Sequence, residues 1–138
     1  MPSFSQTSLE RLNSCHDDLI LIFSTIVADT DCSILCGHRD QAEQTRAYVS
    51  GNSKVQWPDS KHNQEPSLGV DVAPWPFDWE DEKAFCFFAG KAVAVANRLF
   101  KDGAISHKLR WGGDWDGDGQ TNDQTFYDLV HFELVEVD

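Results

Sequence analysis

Two runs of apolar residues recur at the three- to four-residue spacing of a helix face. The first run predicts an amphipathic helix that begins at a capping box, Thr7-Ser-Leu-Glu10, and extends to about Ala28. The second run predicts a long helix from about Asp78 to Phe100. The apolar positions are Leu9, Leu12, Leu19, Phe23, Ile26 and Val27 in the first helix, and Phe85, Phe88, Ala92, Val95 and Leu99 in the second. Each helix should therefore pack one face against a core.

Short apolar runs bounded by turn residues predict the strands. CSILCG reads as a buried strand that ends at Gly37, and GVDVA is the strand-like part of a segment rich in Pro, Ser, Asn and Gly. Asp40-Gln-Ala-Glu43 opens a short helix that stops near Gly51. The tail adds the strands HKLRW and HFELVEV. Because helices and strands are segregated rather than alternating, we predict an α+β domain with a small, mainly antiparallel sheet and flanking helices.

Length and charge exclude several classes of protein. The 138 residues, 41% of them apolar, suffice for one domain with its own core. The 11 basic and 23 acidic residues give a net charge of −12, whose field repels nucleic acid. No apolar run reaches the roughly 18 residues of a membrane-spanning helix, and MPSFSQTSLERL lacks the features of a signal peptide. We therefore expect a monomer made in a cytoplasm, without nucleic-acid or membrane partners.

The cysteines do not indicate a disulfide framework. Cys32 and Cys36 lie on one predicted strand, roughly 13 Å apart, which is too far for a disulfide. We expect both to be reduced and buried. A zinc site on this C-x3-C pair is the alternative, but strand geometry separates the thiols and no second pair follows.

Alternation along two strands separates two polar residues from the core. Val70 and Val72 share the core face, so Asp71 points away from it, and the apolar neighbours of His131 send that histidine to the opposite face. If the two strands share a sheet, Asp71 and His131 converge, and the loop that carries His62 is long enough to bring a third ligand. Two imidazoles and one carboxylate with an open fourth position are what a catalytic zinc requires. Taken singly, His62 could be a surface histidine and Asp71 a solvent-facing strand residue.

The same segments carry a family resemblance. SKH with the downstream GVDVAP, the upstream GHRDQAEQ, WGGDW and the closing D-x-x-H-F-E-L resemble zinc peptidoglycan peptidases of the D-alanyl-D-alanine carboxypeptidase/dipeptidase type. Among these, the sequence looks most like the phage L-alanyl-D-glutamate endopeptidases that serve as endolysins. The resemblance implies the Hedgehog/DD-peptidase fold, with His62, Asp71 and His131 as zinc ligands. Eight residues separate His62 from Asp71, more than in the usual family pattern, which raises the question of the loop path.

The resemblance also implies roles for four further residues. Asp128 would be the catalytic carboxylate that takes a proton from zinc-activated water and passes it to the leaving amine. Arg39 matches the substrate-binding arginine, which stabilises an oxyanion or clamps a substrate carboxylate; its alternative is a surface salt bridge to the second helix. Ser60 would hydrogen-bond the peptide backbone. Gln44 matches a glutamine near the cleft, and its alternative is an ordinary helix residue.

Three other histidines compete for a role. They are His16, His38 and His107. His16 belongs to the first predicted helix and His38 stands beside Arg39, so we expect both to be structural or to support the site.

An acidic loop is a candidate site for a second metal. Asp114, Asp116 and Asp118, followed by a glycine, have the spacing of the first half of a calcium loop. Thr125 stands where the loop's bidentate glutamate is expected, although Asp123 could substitute. Calcium binding and an acidic hairpin loop without metal both remain open.

The whole chain, residues 1–138, is thus expected to be one catalytic domain. We predict a zinc metallopeptidase that cuts peptidoglycan stem peptides between L-Ala and D-Glu and reaches the wall after membrane permeabilisation. A D,D-carboxypeptidase or dipeptidase of the same family is the nearest alternative. A non-catalytic calcium-binding or wall-binding module is another.

Overall fold

The fold is described from a computed structural model, which covers residues 2–114 and 128–137. Its helices are α1 (Gln6–Asn13), α2 (Asp17–Val27), α3 (Gln41–Val49) and α4 (Glu82–Lys101), with a short 3₁₀ helix at Lys61–Asn63. Its strands are β1 (Cys32–Cys36), β2 (Gly69–Pro74), β3 (Lys108–Gly112) and β4 (Asp128–Val135). They form one antiparallel sheet in the order β1-β2-β4-β3, so the α+β prediction is confirmed. None of the described helices is long and apolar enough to cross a bilayer.

One face of the sheet is buried under α2 and α4. Phe132 of β4 is completely buried, and its ring packs edge-on against Phe23 of α2 and Phe88 of α4, with centroids 5.3 and 6.1 Å apart. Fully burying a phenylalanine side chain stabilises a fold by about 1.5–3 kcal/mol. The strand alternation that buries this face turns Asp71 and His131 to the other one, as the sequence predicts.

The first predicted helix is in fact two helices. Between α1 and α2, Cys15 pairs with Ser67 in a parallel bridge, and the His16 amide donates to the Ser67 carbonyl at 2.9 Å. This pairing with a distant loop interrupts the helix. The apolar spacing runs through the break because Leu12 of α1 and Leu19 of α2 are buried in the same core.

Two helix starts also differ from the prediction. Ser5, rather than Thr7, caps α1, and its hydroxyl accepts from the Ser8 amide at 3.1 Å. Helix α4 begins later than the predicted Asp78, behind its cap Asp81. The capping box that predicts α3 is present.

Strand β4 begins earlier than predicted, at Asp128, which stands opposite Gly112 of β3 beside a register shift. A Cβ added at Gly112 would lie 2.1 Å from the Asp128 carbonyl oxygen. Only glycine therefore permits this close approach of the two strands, and the approach sets the position of Asp128.

The four cysteines are free thiols. Cys32 is buried, as predicted, and burial raises its pKa to about 12. Cys36 is only half-buried, so the expectation that both are buried is wrong for this residue. The reason is position: Cys36 ends β1 beside the bulge where the strand leaves the sheet.

Candidate metal centre

Three ligand atoms form a nearly equilateral triangle on the open face of the sheet. His62 Nε2 lies 3.2 Å from Asp71 Oδ1 and 3.2 Å from His131 Nδ1, and His131 Nδ1 lies 3.2 Å from Asp71 Oδ1. All three residues are buried, with 2, 9 and 7% of their surface exposed for His62, Asp71 and His131. The structure thus brings together the three residues that the sequence analysis names as metal ligands.

The outer nitrogen of each imidazole has its own acceptor. His62 Nδ1 donates to the Gly37 carbonyl oxygen at 2.7 Å, and His131 Nε2 donates to Glu133 Oε1 at 2.8 Å. When both rings are neutral, these hydrogen bonds select the tautomers in which the nitrogens facing the triangle carry lone pairs. Three electron-rich atoms then point at one another.

The size and the chemistry of this triangle fit a small divalent cation. Zinc–ligand distances of about 2.0–2.1 Å in tetrahedral geometry place neighbouring ligand atoms about 3.3–3.4 Å apart. The observed sides of 3.2 Å match that spacing. A cation would also offset the repulsion between the three lone pairs.

Local hydrogen bonds hold His62 in place. Ser60 caps the 3₁₀ helix: its hydroxyl accepts from the His62 amide at 3.2 Å, and its own amide donates to Asn63 Oδ1 at 3.0 Å. Downstream, a Cβ on Gly69 would lie 3.1 Å from the ring of His131, so glycine leaves room for that ring. The loop of eight residues between His62 and Asp71 thus brings both side chains to the triangle.

Gly37, which holds the outer nitrogen of His62, is wedged against the end of α1. An added Cβ would lie 2.2 Å from the Arg11 carbonyl oxygen and 2.4 Å from Ser14 Oγ. The acceptor for His62 is therefore fixed by the packing of the first helix.

Electrostatics favour positive charge at the triangle. Burial raises the pKa of Asp71, but hydrogen bonds with His131 and His62 hold it well below its usual range. Burial lowers the pKa of His62, but hydrogen bonds with Asp71 and Cys36 raise it to about 10. The pKa of His131 is also raised, because hydrogen bonds to Asp71 and Glu133 outweigh burial. A proton and a metal ion therefore compete for the same lone pairs.

Asp128 stands half-buried at the entrance of β4 and lines the same cleft. Burial and the negative charge of Asp71 raise its pKa, against the opposing charges of His131, His62 and Arg39. A carboxylate whose pKa is raised is a stronger base, and it holds an accepted proton more tightly.

Arg39 reaches the site from the loop after β1. Its Nη2 donates to Asp71 Oδ2 at 3.3 Å, and its Nη1 donates to Gln44 Oε1 at 3.4 Å. With only 15% of its side chain exposed, Arg39 does not form the surface salt bridge to α3 that was its alternative.

Gln44 lies beneath the cleft rather than on its surface. It is completely buried, and its amide group donates to Ser53 Oγ at 2.9 Å and to the Val55 carbonyl oxygen at 2.8 Å. Its oxygen accepts from Asn63 Nδ2 at 3.2 Å. Its contacts therefore support Arg39 and the loop beside it, whereas Ser60 lines the cleft itself.

A cleft of about 280 Å³ opens over the triangle. Its lining includes the basic residues Arg39, Lys54, Lys61 and Arg110 and the acidic residues Asp59, Asp128 and Glu133. Two of the basic residues pair with carboxylates, Arg39 with Asp71 and Arg110 with Glu133. The wall of the cleft is therefore of mixed charge.

Comparison with known proteins gives the family of this chain and a structure that shares its fold. The family model described as phage L-alanyl-D-glutamate peptidase matches residues 2–135. The chain belongs to this family. It is similar to the L-alanyl-D-glutamate peptidase of Escherichia phage T5, with 32% identity over 111 residues, covering 76% of each chain. Among solved structures, the L-Ala D-Glu endopeptidase ChiX of Serratia marcescens aligns with a TM-score of 0.72 over 97% of this chain and 91% of that one. At 22% identity, this likeness shows a shared fold.

Sequence reasoning missed Glu133, the partner of His131. Glu133 is 5% exposed and also forms an ion pair with Arg110 of β3. Burial raises its pKa, but hydrogen bonds from His131 and Arg110 lower it to about 2. The signal was present, because a residue two positions after His131 shares its strand face.

The competing histidines lie elsewhere. His16 is not inside a helix but caps α2, where its Nδ1 accepts from the Asp18 amide at 3.0 Å. His107 Nδ1 donates to Asp18 Oδ2 at 2.8 Å, so these three form a second cluster with metal-ligand spacing. The cap and this hydrogen bond already account for the cluster as a link between α2 and the turn before β3. The backbone amide of His38 donates to Ser14 Oγ at 2.9 Å.

The proposed calcium loop lies mainly outside the described residues. Asp114 follows β3 within the described part of the chain, whereas Asp116, Asp118 and Asp123 do not belong to it. Calcium binding stays a prediction, which calorimetric titration with calcium would test.

Proposed function

We propose that the protein is a zinc-dependent endopeptidase that hydrolyses the L-alanyl-D-glutamate bond of peptidoglycan stem peptides. Its membership of the phage L-alanyl-D-glutamate peptidase family supports the substrate. The observation that carries the mechanism is the 3.2 Å triangle of His62, Asp71 and His131, with Asp128 on the wall of the same cleft.

His62, Asp71 and His131 would hold the metal through His62 Nε2, His131 Nδ1 and the Asp71 carboxylate. Two nitrogens, one oxygen and an open fourth position are typical of catalytic zinc. When bound, zinc supplies a Lewis acid that activates water and polarises the scissile carbonyl.

Asp128 would act as the general base and then as the general acid. Its carboxylate takes a proton from the attacking water and returns it to the leaving nitrogen. The raised pKa of Asp128 helps the second step, because a weaker acid holds the proton until the leaving group needs it. Its half-buried position limits exchange of that proton with bulk water.

The mixed-charge wall of the cleft includes basic residues that would bind an acidic substrate, Arg39 among them. A D-glutamate residue has two carboxyl groups besides its amine, so one stays free when the other continues the peptide. Arg39 would bind that carboxylate or the developing oxyanion through its planar fork. Ser60 would contact the peptide backbone, and Gln44 would position Arg39 from below.

We propose that residues 1–138 act as one catalytic domain. Site residues between Arg39 and His131 come from both halves of the chain, and the family model matches residues 2–135. A monomer that reaches the wall after membrane permeabilisation fits this arrangement, because the cleft itself would supply the substrate contacts.

Mass spectrometry of digested peptidoglycan tests the proposal. Zinc-loaded protein should release muropeptide fragments with a new amino-terminal glutamate, and a chelator should abolish the release. Loss of a terminal D-alanine instead would identify a D,D-carboxypeptidase. If peptidoglycan stays uncleaved after incubation with protein that contains one zinc per chain, the non-catalytic wall-binding module would be favoured. Turbidity of permeabilised Gram-negative cells, with and without chelator, is a second measurement.

A further inference from the structure

A chain of three side chains leads from the metal centre across the sheet. Arg110 of β3 stands opposite Glu133 of β4 in the strand pairing. Arg110 Nη2 donates to Glu133 Oε2, and the other oxygen of that carboxylate accepts from His131 Nε2 at 2.8 Å. Each carboxylate oxygen thus has a different partner.

We propose that Arg110 and Glu133 are positioning residues that hold His131 Nδ1 toward the metal and keep the Glu133 carboxylate itself off the metal. The inference rests on the proposed zinc function. Neither residue would touch the reacting atoms through this role. Arg110 would act on the metal only through Glu133.

The geometry requires such a partner. The Glu133 side chain is 7% exposed, and a buried carboxylate is costly unless it is paired. Its Oε1 fixes the tautomer and the ring orientation of His131, as carboxylate partners of metal-binding histidines do. Without the Arg110 contact on Oε2, nothing in this chain of contacts would hold the carboxylate on the outer side of the ring.

A released Glu133 would harm the site in a specific way. Like imidazole nitrogens, carboxylate oxygens are common zinc ligands. A catalytic zinc, however, needs its fourth position for water or substrate. A carboxylate that turned inward would compete for that position. Arg110 therefore preserves the open position as well as the orientation of His131.

The two histidines differ in this respect. His62 is oriented by a backbone carbonyl, that of Gly37, which no side-chain substitution removes directly. His131 is oriented by a side chain, so its contribution to zinc affinity can be changed from outside the ligand set. This asymmetry makes the proposal testable with single substitutions.

The test is a double-mutant cycle on zinc affinity. Apo protein is titrated with zinc against a chromophoric chelator for wild type, Glu133→Gln, Arg110→Met and the double variant. Glu133→Gln should weaken zinc binding about 10- to 100-fold, and Arg110→Met several-fold. If Arg110 acts through Glu133, the double variant should bind zinc as Glu133→Gln does, because the second change has nothing left to act on. If the fold-loss of zinc affinity in the double variant is instead the product of the two single losses, Arg110 does not act through Glu133 and the proposal is refuted.

Cobalt substitution tests the open position. Arg110→Met should change the position and intensity of the visible absorption bands of the cobalt-loaded protein, since a carboxylate oxygen would replace the solvent ligand at the fourth position, and Arg110→Lys should restore much of the wild-type spectrum. An unchanged spectrum in Arg110→Met would refute that role. Far-ultraviolet circular dichroism identifies variants that fail to fold; Arg110→Lys and Glu133→Asp then replace the failed variants in the same cycle.

Matched controls separate this inference from general charge effects and from the proposed function. Glu136→Gln and Arg46→Met change exposed residues of the same types and should leave zinc affinity unchanged. If wild type binds no zinc, the proposed function fails. If wild type binds zinc and cleaves its substrate while Glu133→Gln keeps full affinity, only the positioning role fails.

Discussion

Asp71 and His131 stand opposite each other in the pairing of β2 with β4, and Asp71 Oδ1 lies 3.2 Å from His131 Nδ1. Residues opposite each other in an antiparallel pair project from the same face. Two of the three proposed ligands are thus set by the register of the sheet rather than by loops. A slip of either strand by one residue would turn its ligand toward the core, so the burial of Phe132, which fixes the register of β4, also fixes His131 in the proposed metal centre.

The ligand assignment predicts loss of metal on substitution. His62→Ala and Asp71→Ala should each contain far less than one zinc per chain after gel filtration, because two remaining ligands cannot hold a tetrahedral site. Metal analysis by mass spectrometry measures the content. His38→Ala is a matched control, since its described contact is made by its backbone amide. Full zinc in either ligand variant would reject the assignment.

The role of Asp128 predicts a separation of binding from catalysis. Asp128→Asn should keep stoichiometric zinc and lose about 10²- to 10⁴-fold in turnover, the usual contribution of a general acid–base group. Release of cleaved muropeptide measures the rate. Asp29→Asn, an exposed aspartate, should behave as wild type. Turnover near the wild-type rate in Asp128→Asn would exclude Asp128 as the base.

The proposed role of Arg39 predicts that its substitution lowers kcat/KM without loss of metal. Arg39→Lys keeps a positive charge near Asp71 but removes the planar fork that binds a carboxylate or an oxyanion. We expect zinc content to stay at one per chain and kcat/KM to fall about 10- to 100-fold. Arg46→Lys on the exposed face of α3 is the control. A parallel loss of zinc would mean that Arg39 supports Asp71 rather than substrate.

The hydrogen bonds of Asp18 predict an effect on the free energy of unfolding, at a distance from the proposed metal centre. Burial raises its pKa, but hydrogen bonds from His107 and Ser106 lower it below 3.8. Since the folded-state pKa lies below that of the unfolded chain, this stabilisation is complete above about pH 4–5 and is lost as pH falls through the folded value. Asp18→Asn should lower the free energy of unfolding by about 1–3 kcal/mol at neutral pH.

Urea denaturation at several pH values measures the Asp18 effect. The difference between wild type and Asp18→Asn should shrink below about pH 4. Asp17→Asn changes the exposed neighbour and should show a small difference. A gap between wild type and Asp18→Asn that is the same at acid and neutral pH would contradict the proposed linkage.

Much of the site follows from strand alternation. Placing valines on one face of β2 requires Asp71 on the other, and the same argument for Phe132 turns His131 outward. The order of helices and strands follows for the same reason, because periodicity reports which face is buried. His62 is different, since it comes from a polar loop, where no alternation fixes the direction of the side chain.

Other features depend on contacts that local patterns do not contain. The break between α1 and α2 comes from the pairing of Cys15 with Ser67, which are far apart in the chain. The burial of Gln44 depends on four polar partners in other segments, which are Arg39, Ser53, Val55 and Asn63. Glu133 was overlooked for another reason: an acid in a strand suggests a solvent-facing residue until its partner Arg110 on β3 is known.

The close packing of Gly37 against Arg11 and Ser14 links metal retention to the docking of the first helix. The carbonyl that orients His62 sits where the amino-terminal helix docks, so detachment of that helix removes the ring's anchor. We therefore expect metal retention to depend on the docking of α1. Chemical denaturation should release a bound ion at the denaturant concentration at which α1 detaches.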